Sequence, residues 1–273
     1  MHVSQLYSLV SFSFSEHSRS SQSARRQFGR QAAYYVQSQV HAAGDTLQAL
    51  VDLAQPRPTD RVLDVATGVG FTAFAFAPHV ALTVAYDLTH EMLREAIGLA
   101  RQRGLSNLRF VQGPAERLPF PDNSFDIYTC RTAQHHFQSV PDYLAEARRV
   151  VRPGGQVLLA DTITTEDPEV DRWQNHVELL RDPSHVRDYS SSEWLRFFAE
   201  ADLAVQQTAN HHRTNLSFYD WVERSGTPLE TVQELLRLFG SAPTKVAQAL
   251  EILPKGNDFE FSYPVLVVRA IKR

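Results

Sequence analysis

The stretch Arg61-Val-Leu-Asp64-Val-Ala66-Thr-Gly68-Val-Gly70-Phe-Thr-Ala73, followed by Val84-Ala-Tyr-Asp87, holds the residues whose types and spacing could do chemistry. Val62 to Val65 reads as a short buried strand, Ala66 to Gly70 as a turn with almost no side chains, and Phe71 to Phe76 as a helix. Small residues let a ligand come against the backbone, and the helix start offers unpaired N–H groups. An acid ending the next strand, Asp87, can accept hydrogen bonds from two ribose hydroxyls. The expectation is a nucleoside cofactor.

Two cofactor classes compete for the pattern. Gly68-x-Gly70-x-x-Ala73 with Asp87 also fits the dinucleotide fingerprint, so an NAD-dependent oxidoreductase stands as an alternative. Asp64 argues the other way, because a carboxylate beside the turn repels a pyrophosphate and attracts the sulfonium and ammonium groups of S-adenosylmethionine. A second cluster, His135-His136, follows a strand at the carboxyl edge of the sheet, where open α/β proteins bind ligands. Either imidazole could act as a general base, or both could simply pack the corner between strand and helix. A metal site from His135, His176 and His185 is disfavoured, since their separations match no short metal-binding motif. Trp173, Trp194, Phe197, Phe198 and Trp221 read as core rather than as a substrate pocket, and Cys130 as a small buried hydrophobe. His211 and His212 are expected to face solvent at the end of an edge strand.

The elements that must position these residues alternate. Strands are expected at Ala81 to Tyr86, Leu108 to Gln112, Phe125 to Cys130 and Gln156 to Ala160, the last entered by a turn at Arg152-Pro-Gly-Gly155. Helices fall between them at Thr89 to Arg103 and Val140 to Val151. Such alternation means a parallel sheet with right-handed crossovers. Beyond Asp161 the rhythm changes: helices at Asp167 to Leu180 and Ser192 to Ala201, a strand at Leu203 to His211, a helical block from Phe218 to Leu253, and a final strand at Phe259 to Ile271. The last two strands are expected to pair as an antiparallel edge, with insertions of about 166–190 and 217–254 forming a helical lid. Ahead of the sheet, Phe28, Ala32, Tyr35, Val36, Leu47, Leu50 and Leu53 stand at helical spacings. Residues 1–26, rich in Ser and Arg, read as a disordered start with a weak likeness to a transit segment, and 27–273 as the catalytic domain.

Composition narrows the function classes. A chain of 273 residues with 43% hydrophobic residues can bury a substantial core, and a net charge of −4 with scattered basic residues gives no footprint for nucleic acid. A small-molecule partner is favoured. The lone cysteine excludes an internal disulfide framework and fits a reducing, cytoplasmic setting. The run from Val65 to Tyr86 carries no Asp, Glu, Lys or Arg, yet Gly68, Gly70, Pro78 and His79 interrupt it, so membrane insertion is not expected. The sequence leaves a homodimer open.

With these residues in view, the chain resembles the class I S-adenosylmethionine-dependent methyltransferases, in the group related to the ubiquinone and menaquinone C-methyltransferases. Four segments carry the resemblance: Leu63 to Gly70, Ala85 to Thr89, Gln112 to Asp126 and Arg149 to Gly155. It covers Val62 to Asp161 strongly and the rest loosely. Ala66 stands where many relatives have glycine, and Pro114 where they often have Asp. The resemblance implies a Rossmann-like, doubly wound sheet of seven strands, and S-adenosylmethionine as cofactor. It also implies methyl transfer to an oxygen, nitrogen or carbon of a small, partly apolar metabolite. Asp64 would lie near the methionine ammonium, directly or through water, with backbone around Ala66, Gly68 and Gly70 facing the amino-acid and ribose portions. Asp87 would hold the ribose, Leu88 the adenine, Ala115 and Glu116 its exocyclic nitrogen, and Arg131 the cofactor's carboxylate or the substrate. A protein of this fold that binds the same cofactor without methylating, for cyclisation, dehydration or regulation, is the nearer alternative.

Overall fold

The computed structural model describes residues 9–11, 25–29 and 45–273, without the side chains of 10, 11 and 210–212. The expected helical positions Ala32, Tyr35 and Val36, the side chains of His211 and His212, and most of the segment 1–26 therefore lie outside the described residues. Within that segment Leu9–Ser11 forms a strand, β1, paired parallel to a later strand.

The core alternates as expected. Helix α1 (Asp45–Ala54) leads into β2 (Arg61–Val65), α2 (Phe71–Phe76), β3 (Leu82–Asp87), α3 (His90–Gln102), β4 (Leu108–Gln112), β5 (Phe125–Arg131), α4 (Val140–Val150) and β6 (Val151–Thr162). Then follow α5 (Pro168–Arg181), α6 (Ser191–Glu200), β7 (Leu203–Ser217), α7 (Phe218–Ser225), α8 (Leu229–Gly240), α9 (Thr244–Ala249), β8 (Leu253–Lys255) and β9 (Asp258–Lys272). The sheet runs β1-β4-β3-β2-β5-β6-β9-β7, with β8 as a hairpin on β9. β1 to β6 are parallel to one another, while β9 is antiparallel to both β6 and β7. The expected seven strands are thus joined, among the described residues, by two three-residue strands at the margins.

Strand β6 corrects a boundary. The Arg152-Pro-Gly-Gly155 turn lies inside it, where the register on β5 shifts between Phe125 and Ile127. Gly154 takes a positive φ of 75°, so the turn residues make a bulge instead of ending the ladder. Strand β7 likewise runs six residues past the expected His211, absorbing a second shift between Ala209 and His212.

Side-chain alternation assigns the two faces. Val62, Ile127 and Leu158 pack with Leu50 and Ala54 of α1, whereas Leu63, Val65 and Leu159 pack with Tyr143 and Leu144 of α4 and with Trp194 and Phe198 of α6. The two insertions form a core of their own: Val170 and Val177 of α5 meet Phe218 and Trp221 of α7, Phe239 of α8 and Phe261 of β9. Trp173 joins them edge-on against Phe239. Of the five aromatics singled out in the sequence, Trp221 alone lines the cavity described below.

Gly70 shows how tightly the first turn is built. It caps α2 with φ 95°, and a Cβ there would stand 2.5 Å from the Phe74 ring. Gly70→Ala is expected to destabilise the fold by about 2–3 kcal/mol through left-handed strain plus overpacking, read as a lower urea midpoint at constant m.

Candidate active site

A cavity of about 640 Å³ opens at the carboxyl ends of β2, β3, β5 and β6 and extends to α5 and α7. Ala66, Gly68, Asp87, Leu88, Ala115, Glu116, Arg131, His135 and His136 all line it. Asp64 and Gly70 do not. What each touches inside the protein accounts for this.

Asp64 points back into the protein and is 1% exposed. Its Oδ2 accepts from Thr67 Oγ1 at 2.5 Å and from the Ala73 amide at 3.1 Å, while Oδ1 accepts from Thr129 Oγ1 at 2.8 Å. The carboxylate ties turn, helix and the neighbouring strand together. Burial pushes its pKa up to about 6, against the pull of these hydrogen bonds and of Arg131. Gly70 is consumed by the α2 cap.

The turn it secures presents backbone to the cavity. Ala66 and Gly68 are both left-handed, at φ 53° and 56°, and a Cβ on Gly68 would meet nothing within 4 Å, so glycine leaves an open cradle. The Gly68 amide donates to Asp87 Oδ2 at 2.8 Å, and the Thr89 amide to Oδ1 at 2.8 Å. These two bonds fix the Asp87 carboxylate at the cavity wall. Burial raises its pKa, opposed by those amides. Tyr86 Oη donates to the Pro114 carbonyl at 3.1 Å, and the Gly113 amide to the Asp87 carbonyl, which together hold the Ala115–Glu116 loop beside the strand end. Arg131, mostly buried, donates from Nε to Thr72 Oγ1 at 3.1 Å. The cradle and the strand-end carboxylate fit the adenosyl and amino-acid parts of an S-adenosyl cofactor.

The two histidines occupy a turn of 3-10 helix, Gln134–His136, yet their states differ. His135 Nδ1 lies 2.8 Å from Asp161 Oδ1, and its amide donates to Oδ2 at 3.1 Å. Burial alone would lower its pKa, but Asp161, with Asp188 and Glu178 behind it, carries it up to about 9, so His135 is an imidazolium at neutral pH. His136 has the opposite fate: burial, then the charge of His135, push it well below 6.5. Its tautomer follows from its neighbour. Ser184 Oγ donates its one proton to Asp182 Oδ1 at 2.7 Å, so at 3.2 Å it must accept from His136 Nδ1–H. Among the described residues no hydrogen bond engages His136 Nε2.

The His135 pair has a measurable consequence. Its folded pKa lies above the ordinary value, so the stabilisation is complete below about pH 6.5 and vanishes as pH climbs through about 9. We expect wild type to lose about 3 kcal/mol of unfolding free energy between pH 6.5 and 10. Asp161→Asn should flatten that slope in chemical denaturation at stepped pH; an unchanged slope would show that other groups titrate there.

Among the described residues no group of three or more His, Cys, Asp and Glu could hold a metal ion, and no helix is long and apolar enough to cross a membrane. Cys130 is buried in β5 and its thiol pKa is raised well above the ordinary range by burial.

Comparison with known proteins decides the family. Residues 63–159 match the family described as methyltransferase domain. YcgJ of Bacillus subtilis, an uncharacterized methyltransferase, is 37% identical over 248 residues, 90% of this chain and 98% of its own. The chain belongs to the class I S-adenosylmethionine-dependent methyltransferases. The YcgJ crystal structure superposes on this methyltransferase with a TM-score of 0.78, covering 84% of this chain and 98% of the other at 38% identity. That of a Bacillus halodurans protein also described as a methyltransferase gives 0.80, over 83% and 98%, at 36%. The ubiquinone/menaquinone biosynthesis C-methyltransferase UbiE of Dinoroseobacter shibae is 41% identical over 124 residues, 44% of this chain and 49% of its own. The methyltransferase therefore takes S-adenosylmethionine as cofactor, and the nicotinamide-dependent oxidoreductase is overturned.

Sequence reasoning missed Thr67 and Thr129, which engage Asp64, and the partners Asp161 and Ser184. Asp161 was within reach: like Asp87, it is a carboxylate at the carboxyl end of a central strand, the position that made Asp87 a candidate.

Proposed function

We propose that this methyltransferase acts on an oxygen, nitrogen or carbon of a small, partly apolar metabolite, using His136 as the general base. The observation that carries the reading is one continuous cavity lined by both Asp87 and His136, a histidine that burial keeps neutral and whose Nδ1 is engaged by Ser184. Bound S-adenosylmethionine supplies an electrophilic methyl group on a sulfonium centre.

The chain's own residues then divide the work. Asp87 accepts the two ribose hydroxyls, Leu88 lies against the adenine, and the Ala115 amide and Glu116 meet its exocyclic nitrogen. Arg131 receives the cofactor's carboxylate, and the backbone of Ala66 and Gly68 faces the amino-acid portion. Asp64 acts through the turn it holds and is a positioning residue. His136 Nε2 takes the acceptor's proton as the new bond to the methyl carbon forms, and Nδ1–H stays on Ser184. His135, already protonated, is not the base; its charge steadies negative charge developing on the acceptor. The lid helices, with Trp221 at the cavity wall, exclude water and align the nucleophile. Phe28 closes the side nearest His136, the two rings meeting edge-on at 4.9 Å, and Gln27 Nε2 donates to the Ser225 carbonyl of α7. The single cysteine supports a cytoplasmic setting for the reaction.

The test is a screen of small aromatic and aliphatic acceptors for release of S-adenosylhomocysteine together with a methylated product by mass. Product without S-adenosylhomocysteine would instead favour a non-methylating role.

A further inference from the structure

The lid-side wall of the cavity contains polar groups that neither the cofactor reading nor the histidine pair uses. Tyr263 of β9 lines this wall at 1% exposure, and its hydroxyl, close to the Glu178 carboxylate, has no partner at proper hydrogen-bond geometry among the described residues. A buried hydroxyl left unpaired costs about 1–3 kcal/mol, which phenylalanine would avoid. In a cavity wall it is a donor for something that enters.

Glu178 is already engaged. Its Oε1 accepts from Trp221 Nε1 at 3.2 Å, and its Oε2 lies 3.2 Å from Arg181 Nε. Two more guanidinium groups line the same cavity, Arg213 of β7 and Arg224 of α7. Their acidic neighbours, Glu251 at 3.1 Å and Asp220 at 3.2 Å, have side chains about half exposed and do not line it. Arg213 is held by Ser262 and Ala249 through Nε and Nη2, so its guanidinium is fixed before any ligand arrives, and its Nη1 makes no hydrogen bond among the described residues. Three arginines and one glutamate line this wall, and Arg213 and Arg224 face it from ion pairs whose carboxylates lie outside it, beside an unpaired donor.

We infer that the methyl acceptor carries an anionic oxygen group, a carboxylate or a phosphate monoester, and that this wall holds it. The Tyr263 hydroxyl donates to one oxygen, and Arg213 and Arg224 supply the balancing charge. The apolar body of the acceptor then lies between Trp221, Leu216 and Val265, which line the cavity beside these groups. The inference rests on the small-molecule reading above and names the substrate class.

The test uses the full chain saturated with S-adenosylhomocysteine and titrated calorimetrically with four matched probes: 2-naphthoate, 2-naphthyl phosphate, 2-naphthamide and 2-naphthylmethylammonium. At least one anionic probe should bind tenfold or more tightly than the amide, with the ammonium weakest; which anion wins identifies the group. Tyr263→Phe should reduce that advantage ~10-fold, as loss of a hydrogen bond to a charged group does, with S-adenosylhomocysteine affinity unchanged and Tm raised by the removal of an unpaired buried hydroxyl. Arg224→Gln should reduce it similarly. Equal binding of amide and anions, or an advantage that survives both substitutions, would overturn the inference. Silence from all four probes with the cofactor product still bound would overturn the small-molecule reading and this inference with it.

Discussion

Replacing Asp87 by alanine is expected to weaken S-adenosylmethionine and S-adenosylhomocysteine binding by about 10²- to 10³-fold, the loss of two charge-assisted hydrogen bonds. The magnitude is large because the site is prepared for the ligand in advance. The Gly68 and Thr89 amides already hold the carboxylate, so ribose meets a group whose orientation needs no further ordering. Asp87→Ala also orphans those two amides, and the turn would loosen. Asp87→Asn separates the effects, since an amide oxygen can keep one backbone donor while the amide nitrogen cannot accept a ribose hydroxyl. It should lose most of the affinity with little loss of Tm. Full affinity in either variant, by calorimetry, would remove Asp87 from the ribose site.

The second large effect concerns His136. His136→Gln is expected to lower kcat by about 10²- to 10⁴-fold with the KM for S-adenosylmethionine nearly unchanged, as loss of a general base does. Ser184→Ala should give a smaller fall in kcat of about tenfold, because the ring remains but its tautomer is no longer set by the Asp182–Ser184 pair. The pH profile carries its own sign. His136 is pushed well below 6.5, so the basic form is complete before neutrality and kcat should be level from about pH 6.5 to 8, falling only in acid. A rise in kcat through pH 9 would instead make His135 the base, since that is where its proton leaves.

The parts of this molecule that were legible in its sequence are those governed by local rules. Hydrophobic runs bounded by glycine and proline marked β2 to β5 to within about a residue at each end, because a parallel strand buried on both faces has few other ways to read. The strand-end position of Asp87 needed only the succession of a glycine turn and a second strand. Where a side chain points was less accessible. Asp64 looked like a ligand for a cationic group, yet Thr129, 65 residues away, draws its carboxylate inward. No local pattern records that bond. Nor could the spacing of His135 and His136, adjacent in sequence, show that a carboxylate 26 residues on would protonate one while burial kept the other neutral. Strand β1 is three residues long, too short for a period-two pattern to declare itself. The turn expected at Arg152 to Gly155 was sound as local chemistry, but pairing on β5 at Val151 and again from Gln156 includes it within one strand as a bulge.

The most direct test of the account is a crystal structure of the full chain with S-adenosylhomocysteine bound. The account predicts both ribose hydroxyls on the Asp87 carboxylate, the adenine between Leu88 and the Ala115–Glu116 loop, and the sulfur facing the part of the cavity that His136 Nε2 lines. An adenosyl group seated away from Asp87, or a sulfur turned from His136, would contradict it.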